Sequence, residues 1–404
     1  MGTQIYDIAV VGGGLIGSCL ALAGAQAGLQ VALIDRVPAK RRAAADFDGR
    51  AYAVALGSAR LLEALGIWAT LEPKAQEIRE IGVGEGAGSP ILAHFDPTLT
   101  EAGQMGWIVE DHDLRSALLA ALDAAGVVQI APAVTSGLEV GPGSAELELG
   151  DGSRVRARLI AAVDGRRSPL ARGQGIGYVH WDYAQTGLVA AVAHELPHGG
   201  LAHQSFFPGG PFAVLPLRGE RSAIVWSERV HRAAALMRLS AEGYASELAR
   251  RIGPRLGRLE LIGKRWAYPL SLALAERYVA PRLALLGDAA HGVHPIAGQG
   301  LNLGLRDVAA LAEVTVEAAR RGEDIGRGEV LARYERWRRF DGAGFALGMD
   351  ALNRLFSNDW APLSVLRQVG LAGVGACRPA LRGLMTEATG QAGAVPRLLK
   401  GLAI

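Results

Sequence analysis

The run Arg282-Leu283-Ala284-Leu285-Leu286 leads straight into Gly287-Asp288-Ala289-Ala290-His291-Gly292-Val293-His294-Pro295-Ile296-Ala297-Gly298-Gln299-Gly300-Leu301-Asn302. The apolar run has no alternation, so it reads as a short strand buried on both faces of a parallel sheet. Beyond the loop, Leu301, Leu305, Val308 and Leu311 recur at helical spacing, and the pattern holds through Arg320. A strand therefore ends at Gly287, a glycine-rich loop follows, and a long helix begins near Gly298 to Gly300. In open α/β sheets, ligands bind beyond the carboxyl ends of the strands, where this loop lies.

The loop's chemistry can be read residue by residue. Gly287 has no Cβ to keep a ligand from the backbone. Asp288, at the strand end, can accept hydrogen bonds from sugar or polyol hydroxyls, and Pro295 stiffens the loop. Gly298, Gln299 and Gly300 open the helix and leave its first amides uncovered. A helix start carries free N–H groups and about half a positive charge. It favours an anion, or a group that becomes one on reduction.

At the other end of the chain, Ile5 to Val11 reads as an apolar strand. Gly12-Gly13-Gly14-Leu15-Ile16-Gly17 follows, then an Ala/Leu-rich helix to about Ala27 and a second strand, Gln30 to Ile34, ending in Asp35. This is a βαβ unit with G-x-G-x-x-G at Gly12, Gly14 and Gly17. Its acid stands 23 residues after the first glycine, where a spacing of about 20 is expected for dinucleotide binding. The glycines permit the tight turn, the approach of a pyrophosphate and close helix–strand packing. Asp35 can accept from both ribose hydroxyls.

Together these stretches resemble the group A FAD-dependent aromatic hydroxylases, and among them most of all the ubiquinone-biosynthesis hydroxylases. Gly287-Asp288-Ala289-Ala290-His291, Pro295, Gly298-Gln299-Gly300, Asn302 and Arg306-Asp307 match that family's GD motif. The resemblance implies that Asp288 binds the ribityl chain of FAD. It also implies that the loop from Pro295 to Asn302, Leu301 included, faces the pyrimidine edge of the flavin ring. Asp48-Gly49-Arg50 resembles the family's Asp-x-Arg segment, which would set Arg50 beside the flavin or its phosphates. Gly106 to Leu119 resembles the next segment, with Arg115 as the FAD contact. Asp164-Gly165-Arg166-Arg167-Ser168 resembles the DG motif, which touches flavin and pyridine nucleotide. That motif's later Arg falls here on Arg172, one position beyond its usual place.

The implied fold is α/β: a Rossmann-like FAD-binding domain with an inserted, mostly antiparallel substrate sheet and C-terminal helices, like para-hydroxybenzoate hydroxylase. The expected division is 1–76, 97–175 and 276–345 for FAD, 77–96 and 176–275 for substrate, and 346–404 for the helical region. Within it, Ala145 to Ala162 reads as a hairpin turning at Gly150–Ser153. Phe212–Leu217 and Ser222–Trp226 form another, turning at Arg218–Arg221.

Half the residues of the 404-residue chain are hydrophobic, enough for two domains with real cores. The net charge of +2 leaves no nucleic-acid footprint. Lys40-Arg41-Arg42 and Arg250-Arg251 read as solvated faces. Two cysteines make neither a disulfide framework nor a zinc site, and Cys19 reads as a core residue. His291 and His294, without carboxylate or cysteine support in sequence, read as loop or flavin-face residues, and no metal is expected. The N-terminus shows no signal-peptide pattern, and no run of about 18 apolar residues occurs. These features predict a cytoplasmic protein. Positive mean hydropathy and the apolar Ala361–Ala376 segment add a peripheral contact at the inner face of the membrane.

No nucleophile constellation announces itself, which is expected if a cofactor carries the reaction. Only one glycine fingerprint is present, so NAD(P)H would visit as a transient reductant. The resemblance implies that reduced flavin reacts with O2 to a hydroperoxide that passes one oxygen to a prenylated phenol or quinol precursor of ubiquinone. Catalysis would be flavin-centred, with Pro295 and Gly298 at the flavin face and a ubiquinone-biosynthesis protein complex as the setting. Two other readings stand beside this one: a hydroxylase of small soluble aromatics, and a flavin-binding subunit of the ubiquinone assembly without turnover of its own.

Overall fold

The computed structural model describes residues 4–42, 47–88, 90–100, 102–294, 296–358 and 361–404, with only the backbone for 297 and 361–366. Pro295 lies outside the described residues.

Three sheets organise the chain. In the first, Leu283–Leu285, Arg154–Ala162, Ile5–Val11, Val31–Ile34 and Val128–Ile130 lie side by side in that order, all parallel. Ile8 to Val11, Val31 to Ile34 and Leu159 to Ala162 are buried, which is why these strands read as unbroken apolar runs. The chain leaves Ile5–Val11 toward Val31–Ile34 on one side and later returns as Arg154–Ala162 on the other. That reversal of order opens a crevice at the carboxyl end of the first strand. The hairpin partner Ala145–Leu149 pairs antiparallel with Arg154–Ala162, in keeping with the turn read at Gly150–Ser153.

The second sheet runs in the order His291–Gly292, Leu259–Ala275, Tyr178–His194, Arg221–Arg229, Gly210–Leu217, Leu201–Phe207, Glu80–Glu85, Ala93–Phe95. It is antiparallel except where Leu201–Phe207 meets Glu80–Glu85. Two features were illegible in the sequence. Tyr178–His194 and Leu259–Ala275 are 17-residue strands, and their pairing slips between Asp182 and Gln185, where Ala184 has φ +53°. Such a bulge breaks the two-residue alternation on which strand reading depends. The helices Val230–Met237 and Ala241–Ile252 also escaped, and they cover this sheet through Leu236, Tyr244 and Leu248. A third, small sheet orders Ala51–Ala55, Gly106–Glu110 and Gln76–Glu77.

The Leu15–Gln26 and Gln299–Arg320 helices share one hydrophobic core with the parallel sheet. Cys19 is buried within it, and burial pushes its thiol up to about 12. The helices Gly328–Phe356, Ala361–Ala376 and Arg378–Ala388 end the fold.

Candidate active site

Val11 stands level with Ile34 in the parallel pair, so the two strands deliver Gly12 and Asp35 to the same edge. Gly12 has φ +113°, and a Cβ there would lie 2.3 Å from the Val163 carbonyl oxygen. A Cβ on Gly17 would lie 1.9 Å from the Gly12 oxygen. These two glycines let three backbones close up. A Cβ on Gly14 would meet nothing within 4 Å. Gly14 caps the Leu15–Gln26 helix without a side-chain bond, and the first turn holds no acid. The space beside this helix start is open, as an anion site requires.

Asp35 is already engaged. Its Oδ2 accepts from the Gly13 amide at 2.5 Å and its Oδ1 from the Val37 amide at 2.6 Å. It fastens the glycine turn as well as presenting charge. Arg42 departs from its reading as part of a solvated face. Its guanidinium donates to the Gly13 carbonyl and to Gln129 Oε1, both at 2.7 Å, and lines a groove with Gly14, Ser18 and Arg115. Arg251 is likewise no solvated charge: it pairs with Glu228 at 2.7 Å and lies over Trp226.

Arg50 and Arg115 share one buried carboxylate. Asp111 lies 3.1 Å from Arg50 Nη2 and 2.8 Å from Arg115 Nε. Asp48 takes Arg50 from the other side at 2.6 Å, and the guanidinium sits 4.8 Å from the Trp266 ring centre. The sequence singled out both arginines but not the acid that joins them. Nearby, Glu110, His112 and Asp113 bring ligand atoms within 4.8 Å of one another. Arg221 occupies Glu110 and Lys74 occupies Asp113, so this cluster is an ion-pair network.

The Asp164–Ser168 turn reaches the Gly287 loop through Arg166. Arg166 Nε donates to Asp288 Oδ2 at 3.2 Å, and its Nη2 donates to the Val293 carbonyl at 3.1 Å. Arg172, the shifted arginine, is exposed. Gly165 has φ +89° and open space where a Cβ would stand. Asp164 Oδ2 accepts from the Ser168 hydroxyl at 2.8 Å, while its Oδ1 is buried without a partner. Burial raises this carboxyl above the usual range, although Ser168 and the Asp164 and Leu170 amides pull it down.

The Gly287 loop hangs on Asp307, which is wholly buried in the Gln299–Arg320 helix. Its Oδ2 accepts from the Gly287 amide at 2.9 Å and from His291 Nε2 at 2.5 Å, and its Oδ1 from Arg338 Nε at 2.8 Å. Burial would raise this carboxyl, but His291 and Arg338 hold it below the ordinary value. His291 thus anchors the loop from beneath. His294 is also buried, packed edge-on against Tyr183 at 5.2 Å.

The helix itself starts on Gly298, which has φ +63° and no side-chain cap. A Cβ on Gly298 would point at Ala53 Cβ, 3.2 Å away, whereas one on Gly300 would meet nothing within 4 Å. The Asn302 side chain is engaged on both sides: its Oδ1 accepts from the Ala55 amide and Ser58 hydroxyl, and its Nδ2 donates to the Ala53 carbonyl. It ties the helix start to the Ala51–Ala55 strand. Gln299, Gly300 and Leu301 form the uncapped first turn.

Two uncapped helix starts, empty space at Gly14, Gly165 and Gly300, and the orphaned Asp164 oxygen fit a long ligand with anionic and hydroxyl groups. These residues suit FAD. Fold and site together define a flavin-dependent monooxygenase with the architecture of para-hydroxybenzoate hydroxylase. Residues 5–341 match the FAD binding domain family, and the chain belongs to it. It is 43% identical over 403 residues to ubiquinone hydroxylase UbiL of Rhodospirillum rubrum, covering 99% of this chain and 94% of that relative. It is 36% identical over 374 residues to 3-demethoxyubiquinol 3-hydroxylase of Escherichia coli, covering 92% and 95%. Among solved structures, p-nitrophenol 4-monooxygenase PnpA of Pseudomonas putida superposes with TM-score 0.81 at 20% identity, over 97% of this chain and all of that one. The chain is an FAD-dependent monooxygenase, and FAD is its cofactor.

Proposed function

We propose that the protein hydroxylates the aromatic ring of a prenylated phenol or quinol on the route to ubiquinone, using NAD(P)H and O2. The relatives' names support the pathway. The structural observation that carries the reading is the pair of uncapped helix starts with open space at Gly14 and Gly300, which suits the cofactor of this class.

FAD, when bound, supplies the redox chemistry: a ring C–H becomes C–OH, the second oxygen of O2 leaves as water, and NAD(P)H is oxidised. The chain's own residues bind and orient. Gly12, Gly14, Gly17 and Asp35, with Arg42, would hold the adenosine diphosphate half. Asp164, Gly165, Gly287 and Asp288 would hold the flavin half, with Arg166 orienting Asp288. The amides of Gln299, Gly300 and Leu301 would stabilise negative charge on the reduced ring.

A ubiquinone-biosynthesis complex and peripheral membrane contact belong to the same reading, as does the three-part domain division drawn from the sequence. No helix among the described residues is long and apolar enough to cross a membrane. The test supplies a prenylated phenol, NAD(P)H and labelled O2. One labelled oxygen on the ring is expected. Labelling of only short, unprenylated phenols would favour a hydroxylase of small aromatics. If an Asp288→Ala variant lacking FAD restores ubiquinone in a deletion strain, the subunit is non-catalytic.

A further inference from the structure

The outer face of the Gly328–Phe356 helix is apolar over four turns. Phe340, Gly344, Leu347, Ala351 and Leu355 follow one another at spacings of four, three, four and four residues, so they share one stripe. All five are exposed, Phe340 at 89% and Leu347 at 49%. The stripe is about 22 Å long at the helical rise. It is not the solvent face a soluble helix needs, because an exposed Phe and two Leu in line cost solubility without filling any core.

The exposed charges beside the stripe are arginines. Arg336 and Arg339 are exposed at its head, and Arg354 flanks its foot. Among the described residues, neither Arg336 nor Arg339 meets a carboxylate. The acids of the same stretch are paired: Asp341 by Arg338 and Arg306, and Asp350 by Trp181 and Arg354. In the Ala361–Ala376 segment Val369 is exposed, but Leu371 and Val374 pack against the buried cluster and Gly375 abuts the Leu92 carbonyl, so it offers no continuous stripe.

We propose that this face of the Gly328–Phe356 helix docks the protein on an anionic lipid bilayer, with Phe340 and Leu347 entering the acyl boundary and Arg336 and Arg339 meeting headgroup phosphates. An apolar stripe edged by arginines is the composition of an interfacial helix. A protein partner's groove would satisfy the stripe equally, but the unpaired arginines at its head select a negatively charged surface. The proposal rests on the reading above, in that a prenylated substrate is drawn from lipid.

The test is flotation of the FAD-loaded, full-length protein with phosphatidylcholine vesicles, with and without phosphatidylglycerol. The wild type should float with the anionic vesicles and stay behind with the neutral ones. Phe340→Asp/Leu347→Asp should lower binding at least tenfold. Arg336→Glu/Arg339→Glu should cost about fivefold or more per arginine, and salt should erode the remainder. FAD content and NAD(P)H oxidation with a short-chain phenol should not change in the Asp pair, which separates docking from the hydroxylase reading. The proposal is overturned if the wild type binds neither vesicle or if the Asp pair binds as the wild type does. It is also overturned if the wild type sediments as a dimer that the Asp pair splits, because the face would then be covered by a second copy.

Discussion

His291 Nε2 lies 2.5 Å from Asp307 Oδ2, and the same oxygen accepts from the Gly287 amide at 2.9 Å. Through this pair, a helix residue fixes the strand-end loop whose glycine, aspartate and helix start are proposed to meet the flavin. Arg338 closes the set from the Gly328–Phe356 helix. Asp307→Asn should leave two donors and a buried guanidinium short of a charge. Breaking such a buried pair costs about 3–5 kcal/mol. Urea unfolding of the apoprotein should show the loss. If only FAD affinity changes and stability does not, the pair is not structural.

Asp35→Ala should weaken FAD by roughly 1.5–3 kcal/mol through lost charge-assisted bonds. Because Asp35 also holds the Gly13 and Val37 amides, Asp35→Asn is the sharper probe. It retains an acceptor for the turn and loses the charge. Equilibrium dialysis with FAD should rank wild type above Asn and Asn above Ala. Equal affinities for all three would reject the ribose role.

Gly298→Val would set a side chain at the proposed flavin face, and the geometry adds a cost of its own. The backbone is left-handed at φ +63°, and the new Cβ would press on Ala53. A β-branched residue in that conformation costs on the order of 1–3 kcal/mol. The apoprotein itself should therefore unfold at lower urea concentration. Unchanged apoprotein stability would show that the helix start relaxes to a right-handed conformation.

The strand ends and helix starts were legible because glycine spacing and apolar runs are local signals. Gly12, Gly14, Asp35, Gly287 and Asp288 could be singled out for that reason. Asp307 stood in the motif without a role, since its partner Arg338 lies 31 residues away, and although Asp111 pairs with Arg115 at helical spacing, no local pattern encodes its pairing with Arg50, 61 residues away. Arg42 was misjudged because a basic run looks solvated until a fold brings Gly13 against one member. Asn302, expected at the cofactor, also ties the helix start to Ala53, Ala55 and Ser58, a long-range role no local pattern shows.

Stability should fall in mild acid. Burial lowers the His294 imidazole from 6.5 to about 4, with Arg166 adding to the effect. The unfolded chain binds that proton near pH 6.5, while the folded chain refuses it until about pH 4. Stability is therefore present above pH 6.5 and declines as pH falls toward 4, by up to about 3 kcal/mol at this site. His203 is lowered in the same direction by burial. His294→Leu should flatten the decline between pH 7 and 5 in urea titrations. An unchanged slope would assign the acid sensitivity elsewhere.

Asp164 should show opposite effects on folding and on cofactor binding. In the apoprotein its Oδ1 is buried with no partner, and burial raises the carboxyl above its ordinary value. A folded-state carboxyl with a raised pKa lowers stability as pH rises through that range, because the unfolded chain ionises more readily. Removing the charge should therefore help the empty fold. Asp164→Asn keeps an acceptor for the Ser168 hydroxyl, which in turn accepts from the Ala171 amide. The substitution should abolish the fall in apoprotein stability as pH rises through the range where this carboxyl ionises. FAD binding should move the other way if a cofactor donor completes Oδ1, since that donor would lose an ionised acceptor. Urea unfolding without FAD, paired with FAD titration by fluorescence quenching, reads both signs on one variant. If both quantities fall together, Asp164 is a structural acid and the proposed cofactor contact is wrong.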